Sequence, residues 1–324
     1  MPDRPLDLTL LAEFEQGLNM RRPEKSRLPA RILGYGEIST VLEIQAAPAE
    51  GLAFKRMPMF RDEAEAAQYE AIYREYVDVL QNQIGLQVAP GELVRLRSRQ
   101  GKLIVYMAQG KLPPESIAHR AIRHLAAGDV RRLVQAALHE TKKVFDFNRT
   151  HAGELEVGFD GQISNWAIVG FDAAAPGLPG EIRLAYLDTS TPLMRKGGRE
   201  QLNAELFLRS APFFLVWLLR LLYLEEVLTR YYDLRRVVLD LVANFYKEQR
   251  ADLIPALIDL VNESFAAETR DGSFKPLAAP EVASYYKQDA QLWSVYLAAR
   301  KVDRFLRRLI GKEYPYILPE KIVR

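Results

Sequence analysis

Four polar side chains, Lys55, Asp160, Asn165 and Asp188, follow a glycine turn at Gly34 and Gly36 and have the chemistry to handle a polyphosphate. The turn belongs to Leu33-Gly34-Tyr35-Gly36-Glu37-Ile38-Ser39-Thr40-Val41, a G-x-G-x-x-S-x-V pattern. Between two strands such a loop lets backbone amides approach phosphate oxygens, because two of its positions carry no Cβ. Two glycines also suit an ordinary hairpin, so the motif takes its meaning from its company. A strand rather than a helix follows it, which fits poorly with a dinucleotide fingerprint. Lys55 lies fourteen positions beyond Val41, after the apolar pair Ala53-Phe54. A buried ammonium there requires an anion, and the alternative is a lysine stem lying along an edge strand. Asn165 follows Asp160 by five residues and directly precedes the apolar run Trp166-Ala-Ile-Val, while Asp188 closes Leu184-Ala-Tyr-Leu-Asp. An amide and a carboxylate beside polyphosphate oxygens, Asn165 and Asp188, suit Mg²⁺, which takes oxygen ligands and keeps several waters. Asp160 is then placed to accept the proton of an attacking hydroxyl. Singly, Asp160-Gly161 reads as a turn, and Asp188-Thr-Ser-Thr-Pro192 as a strand end with a helix cap. Their joint order behind the glycine turn and Lys55 is what points to one site.

The elements that must position these groups fall into two regimes. Arg31–Gly36, Thr40–Gln45 and Leu52–Met57 alternate as short strands, with Pro48 and Gly51 turning the chain between the last two. A helix is predicted over Asp62–Ile84, with acids in its first turn, an apolar face through Tyr69, Ile72, Tyr73, Tyr76 and Leu80, and Gly85 as its stop. It offers Lys55 three carboxylates. Glu70 sits at the edge of the apolar face and ranks first, Glu65 lies more squarely on that face, and Glu75 projects from the opposite side. Gly91–Arg97 and Leu103–Gln109 form a hairpin around Ser98–Gly101, and the regime changes near Gly110–Pro114. Beyond it come a helix over Asp129–Arg149 with Asp129 as cap, and an island of strands at Leu155–Phe159, Trp166–Val169 and Ile182–Leu187. Helical runs follow near Glu200–Leu208, Pro212–Arg230, Leu234–Gln249, Ala251–Phe265, Pro280–Tyr286 and Leu292–Ile310. No fixed-period repeat marks a solenoid.

In that order the motifs resemble the protein-kinase-like superfamily, in the style of its aminoglycoside phosphotransferases and choline kinases, from about Leu28 to Leu193. The resemblance implies an α+β, bilobal kinase-like fold. Its parts would be an N-terminal helical extension over 1–27, a small antiparallel-sheet N-lobe with one helix over 28–110, and a larger, mostly helical C-lobe over 111–324 with catalytic hairpins at 155–190. It implies ATP with Mg²⁺, Gly34, Gly36, Ser39 and Val41 around the phosphates, and Lys55 paired with Glu70. It also implies Asp160 as base, Asn165 and Asp188 on the metal, and the Met107-Ala-Gln109-Gly linker against the adenine through its backbone. Asp188 is soon followed by Pro192 and a helix-forming sequence without an A-P-E match, so a small hydroxyl- or amine-bearing substrate is expected rather than a protein. Ser39 replaces a glycine, Gly158 stands where the superfamily has histidine or tyrosine, and Thr189-Ser190 replaces its usual pair. The alternative is therefore a catalytically impaired member that binds nucleotide or a partner without turnover.

The bulk composition narrows the alternatives. Basic and acidic residues number 44 and 42, a formal net charge of +2, so no overall field recruits nucleic acid. With no cysteine there is no disulfide, thiolate metal site or cysteine nucleophile, and the four scattered histidines lack ligand spacing. The opening residues lack the uncharged stretch of a signal peptide, so a cytoplasmic protein is expected. Ala211–Leu224 is apolar but holds Arg220 and is too short for a membrane span, so it reads as a core helix. The Arg304-Phe-Leu-Arg-Arg run reads as a solvated helix face.

Overall fold

The computed structural model of the chain describes residues 6–36, 38–175, 177–217 and 228–320. Glu37 and most of the predicted 212–230 helix lie outside them. In the described part of that apolar stretch Ala211 is buried while Phe213 and Trp217 are 57% and 64% exposed, and the rest of the predicted core helix lies outside the described residues. After helix α1 (Leu8–Gly17), strands β1 (Ala30–Tyr35), β2 (Thr40–Ile44) and β3 (Leu52–Met57) precede helix α2 (Glu63–Asp78), and β4 (Gly91–Arg97) and β5 (Leu103–Gly110) follow it. The five strands build one antiparallel sheet in the order β1-β2-β3-β5-β4. The turns are those the sequence marks. Gly51, Gly85 and Gly101 hold φ of +79°, +80° and +77°, and Gly101 closes its turn with an N–H donated to Ser98 O at 2.8 Å. Asp62 caps α2 by accepting from Glu65 N at 2.9 Å.

The period of two along β3 and β5 divides the sheet's faces. Phe54, Ile104 and Tyr106 pack toward α1, which contributes Leu11 and Phe14. Met57, Val105 and Met107 pack toward Tyr69 and Tyr73 of α2. On the α1 face Arg56 is buried in a bidentate pair with Glu15, at 2.8 and 2.7 Å, and Tyr106 donates to the same carboxylate at 2.5 Å. The chain's far end returns to this face. Arg56 donates to Pro315 O at 2.6 Å, and Ile317 joins the core.

Helices α3 (Ala127–Thr150), α4 (Leu234–Lys247) and α5 (Ile254–Ser264) enclose the largest core, around Phe159, Trp166 and Tyr186. Asp129 does not cap α3. The helix is entered from Ala126, and Asp129 lies in its first turn, where it accepts from Arg132 at 3.0 Å. Strand β6 (Leu155–Val157) pairs with β9 (Met194–Lys196) and through it with β10 (Arg199–Glu200), whereas β7 (Trp166–Ile168) pairs with β8 (Leu184–Tyr186). The helix-forming reading after Pro192, and the start of a helix at Glu200, are thus overturned. Gly197 and Gly198, at φ +55° and +72°, make a two-residue hairpin turn, leaving only Glu205–Leu208 helical in that stretch. The two helices read at 280–286 and 292–310 are one, α6 (Ala279–Leu309).

The architecture is α+β, a small antiparallel sheet with many helices. Among the described residues no helix is long and apolar enough to cross a membrane.

Candidate functional site

The sheet register sets the first half of the site. Gly34 pairs with Val41, Val41 with Lys55, and Lys55 with Met107, so four of the selected residues form one row across β1, β2, β3 and β5. Because directly opposed residues project to the same side, Val41, Lys55 and Met107 share the α2 face. Gln109 lies two residues further along β5, in the row with Ala53 and Gly91. Gly34 has open space where its Cβ would stand, as a backbone approached by a ligand requires. Gly36 serves the hairpin itself. Its N–H donates to the carbonyl of the buried Ser39 at 3.0 Å, and a Cβ there would lie 2.7 Å from Ser39 Oγ.

The second half comes from the loops around β6 to β9. Lys55 Nζ donates to Asp188 Oδ1 at 2.7 Å across 133 residues of sequence. With side chains 15% and 26% exposed, the pair is neither sealed nor free. Ser190 Oγ donates to the same oxygen at 2.9 Å, and Tyr69 of α2 donates to Ser190 O at 2.8 Å. The Thr189-Ser190 departure is thus a buried brace for the carboxylate. Asn165 ties the two loops together, since its side chain donates to Asp160 O at 3.1 Å and its carbonyl accepts from Leu187 N at 2.8 Å. Its amide nitrogen is committed to the protein, which leaves the amide oxygen for a cation. Asp160 accepts from Gln162 N at 3.2 Å. Asn148 of α3 fixes the approach to this loop by exchanging two 2.8 Å hydrogen bonds with Val157, and Tyr76 donates to Gly158 O at 3.0 Å.

Burial, then the nearby carboxylates of Asp240 and Asp188, raise Asp160 from its ordinary 3.8 to about 7. Burial also pushes Asp188 upward, but the Lys55 ammonium and Ser190 outweigh it and hold this carboxyl below its ordinary value. Two neighbouring carboxyls are therefore driven apart, one toward the protonated and one toward the ionised form. Sequence reasoning missed Asp240. It lies on α4, accepts from Gln162 Nε2 at 2.6 Å, and is raised by burial against the opposing pull of Arg230. Its signal was a lone carboxylate inside Val237-Val-Leu-Asp-Leu-Val242.

Two expectations are corrected. Glu70 does not pair with Lys55: it accepts both arms of Arg95, at 2.6 and 2.8 Å. Helix α2 turns Glu63 and Glu70 toward β4, where a planar guanidinium fork matches a carboxylate better than an ammonium does. Glu65 is held by Arg209 and Glu75 by Lys196, so Asp188 is the ion-pair partner of Lys55 among the described residues. Nor is Met107–Gly110 a linker. These residues lie in β5, between β3 and β4, and their backbone groups are committed to the ladder. Met107 touches the site through its sulfur, which lies 3.9 Å from Thr189 Oγ1, and the Gln109 side chain donates to Ala89 O at 3.4 Å. Gly158 is explained by packing: a Cβ there would lie 2.7 Å from Leu193 Cβ and 3.1 Å from the Tyr232 ring, which fills the space a larger residue would take.

Asn165 and Asp188 offer hard oxygen donors of the kind Mg²⁺ prefers, with Asp160 behind them. Among the described residues no three His, Asp or Glu side chains gather as a metal cage.

A family profile matches residues 19–304, a span that includes every residue of this site. The chain belongs to that family, DUF6206, a family of unknown function. No curated protein matches it in sequence. Among solved structures, one described as WaaP in complex with acyl carrier protein aligns over 71% of this chain and 89% of its own, at 13% identity and a TM-score of 0.31. A likeness that slight decides neither fold nor function.

Proposed function

We propose that this DUF6206 protein is a phosphotransferase of bilobal kinase-like build, using ATP and Mg²⁺ to phosphorylate a small hydroxyl- or amine-bearing molecule. The observation that carries this reading is the Lys55–Asp188 contact at 2.7 Å, with Asp160 and Asn165 tied to the same pair of loops. The proposed lobes are 28–110 and 111–324, with the 1–27 extension packed on the first. Gly34 and Val41 would lie over the phosphates, Met107 and Gln109 beside the base, and Lys55 against phosphate oxygens. Asp160, whose proton affinity sits near neutrality, would take the acceptor's proton as the acceptor atom bonds to the γ-phosphorus and the bond to the departing nucleoside diphosphate breaks. Asn165 and Asp188 would hold the cation, whose chemistry is to neutralise charge on the phosphates. The remaining contribution is positioning, which such transfers chiefly require.

A second reading has its own support. Lys55 is spent on Asp188, and Glu70 is locked to Arg95, an arrangement suited to a nucleotide- or partner-binding module without turnover. Purified protein tested for Mg²⁺-dependent ATP consumption over a panel of small acceptors separates the two. Turnover that vanishes in Asp160→Ala and Asp188→Ala, with folding intact, is expected for the phosphotransferase. An ATP-induced thermal shift without turnover would establish the binding module, and neither response would overturn both.

A further inference from the structure

A second region shares no residue with the Lys55–Asp188 site. The segment after α1, the β4–β5 turn and the end of α6 line an open cleft of about 720 Å³. Seven cationic side chains line it against one carboxylate, Glu313. Arg21 and Lys25 come from the first segment and Arg99 from the turn. Arg304 and Arg308 stand one turn apart on α6, flanked in sequence by Lys301 and Lys312. Among the described residues none of the seven has an ion-pair partner; Lys301 reaches only a backbone oxygen, Glu320 O at 2.6 Å. Adjacent cations are treated differently. Arg307, on the same helix, takes Asp303 at 2.9 Å, and Arg97, beside the turn, takes Glu63 at 2.9 Å. In a chain with 44 basic and 42 acidic residues, so local an excess is a built feature rather than a reflection of composition.

The cations are also held at a cost. Arg304 is held below its ordinary proton affinity by burial and then by Arg21, so the arrangement carries like-charge repulsion. Groups held at a cost to the fold are characteristic of binding sites. Phe305, 60% exposed, forms an apolar wall of the same cleft, and Val302, Leu306 and Leu309 continue along the exposed helix beside it.

We propose that this cleft binds a multiply charged phosphate group, gripped by the guanidinium groups of Arg21, Arg304 and Arg308. Guanidinium forks match phosphate oxygens two at a time, and the cleft's volume admits more than one phosphate. The group comes either free, as in a soluble polyphosphate, or on a lipid headgroup, for which the apolar wall offers contact.

The test uses the full chain with two probes, sodium tripolyphosphate followed by calorimetry, and phosphatidylcholine vesicles with and without phosphatidic acid followed by co-sedimentation. Binding to at least one is expected, weakened tenfold or more in Arg304→Gln/Arg308→Gln and undiminished in the control Arg270→Gln/Lys287→Gln. The cleft variant without ligand should melt at or above the wild-type temperature, since it loses repulsion and no ion pair; a merely structural role would lower it. Binding to tripolyphosphate alone identifies a soluble ligand, and binding to acidic vesicles alone a lipid. No binding of either probe by the wild type, or equal loss in the control, overturns the proposal.

Discussion

Replacing Asp160 by asparagine should stabilise the protein at neutral pH and leave it unchanged in acid. Burial, then Asp240 and Asp188, raise this carboxyl from 3.8 to about 7 in the folded chain. Between those values the native state holds a proton that the unfolded chain has released, so stability falls as pH rises from about 4 to about 7. The penalty is complete above the folded value and absent below the unfolded one. A rise of that size corresponds to about 4 kcal/mol, at about 1.4 kcal/mol for each tenfold change in proton affinity. Asp160 is only partly buried as a residue, and solvent screening halves the figure to about 2 kcal/mol. Asparagine keeps an oxygen for Gln162 N and carries no charge to desolvate. Urea titrations should therefore show Asp160→Asn more stable by about 2 kcal/mol at pH 8, with the gap closing by about pH 4. A variant less stable than wild type at pH 8, or a difference that does not change with pH, would refute the idea that Asp160 is a carboxylate crowded by Asp188 and Asp240. The same crowding places a proton acceptor near neutrality, so any transferase activity should be lost as the pH drops below about 7.

Other perturbations probe the surrounding supports. Lys55→Met leaves Asp188 facing Asp160 without its cation and should cost about 1–2 kcal/mol, less than a fully buried pair because both partners are partly exposed; adding Asp188→Asn should recover most of it in a double-mutant cycle. Glu15→Gln breaks a pair whose side chains are 0% and 2% exposed, so a loss of about 3–5 kcal/mol is expected in thermal or chemical denaturation, and one below about 1 kcal/mol would show the charge to be dispensable. Gly158→His, which introduces the residue type expected there from the kinase-like resemblance, should destabilise by about 1–3 kcal/mol through collision with Leu193 and Tyr232, while Tyr232→Ala alongside it should relieve part of the cost.

Local devices and their order could be read from the residues alone. Glycines at positive φ turn the chain before β3, after the π turn (Val79–Gln83) that extends α2, and between β4 and β5, while Asp62 caps α2 and alternation along β3 and β5 assigns each residue its face. Each of these signals acts within a few residues. After Pro192 the helix-favouring composition gives way to Gly197-Gly198, the pair that turns β9 into β10. At Asp129 a capping-type residue competes with a helix that starts two residues before it, at Ala127, and lies in the first turn instead.

The choice of partners came only with the packed fold. Lys55 could have met any of three glutamates on α2, and it met Asp188, 133 residues away, because the packing of α2 against β4 gave Glu70 to Arg95. Asp240 joined the site for the same reason. Its helix is legible from periodicity, but the direction in which one carboxylate points depends on how that helix docks. The cationic cleft likewise assembles from segments near residues 21, 99 and 304, each of which reads alone as solvated surface. Capping, turns and alternation are written locally, whereas ion-pair choice and cleft lining depend on distances that exist only once the core has closed.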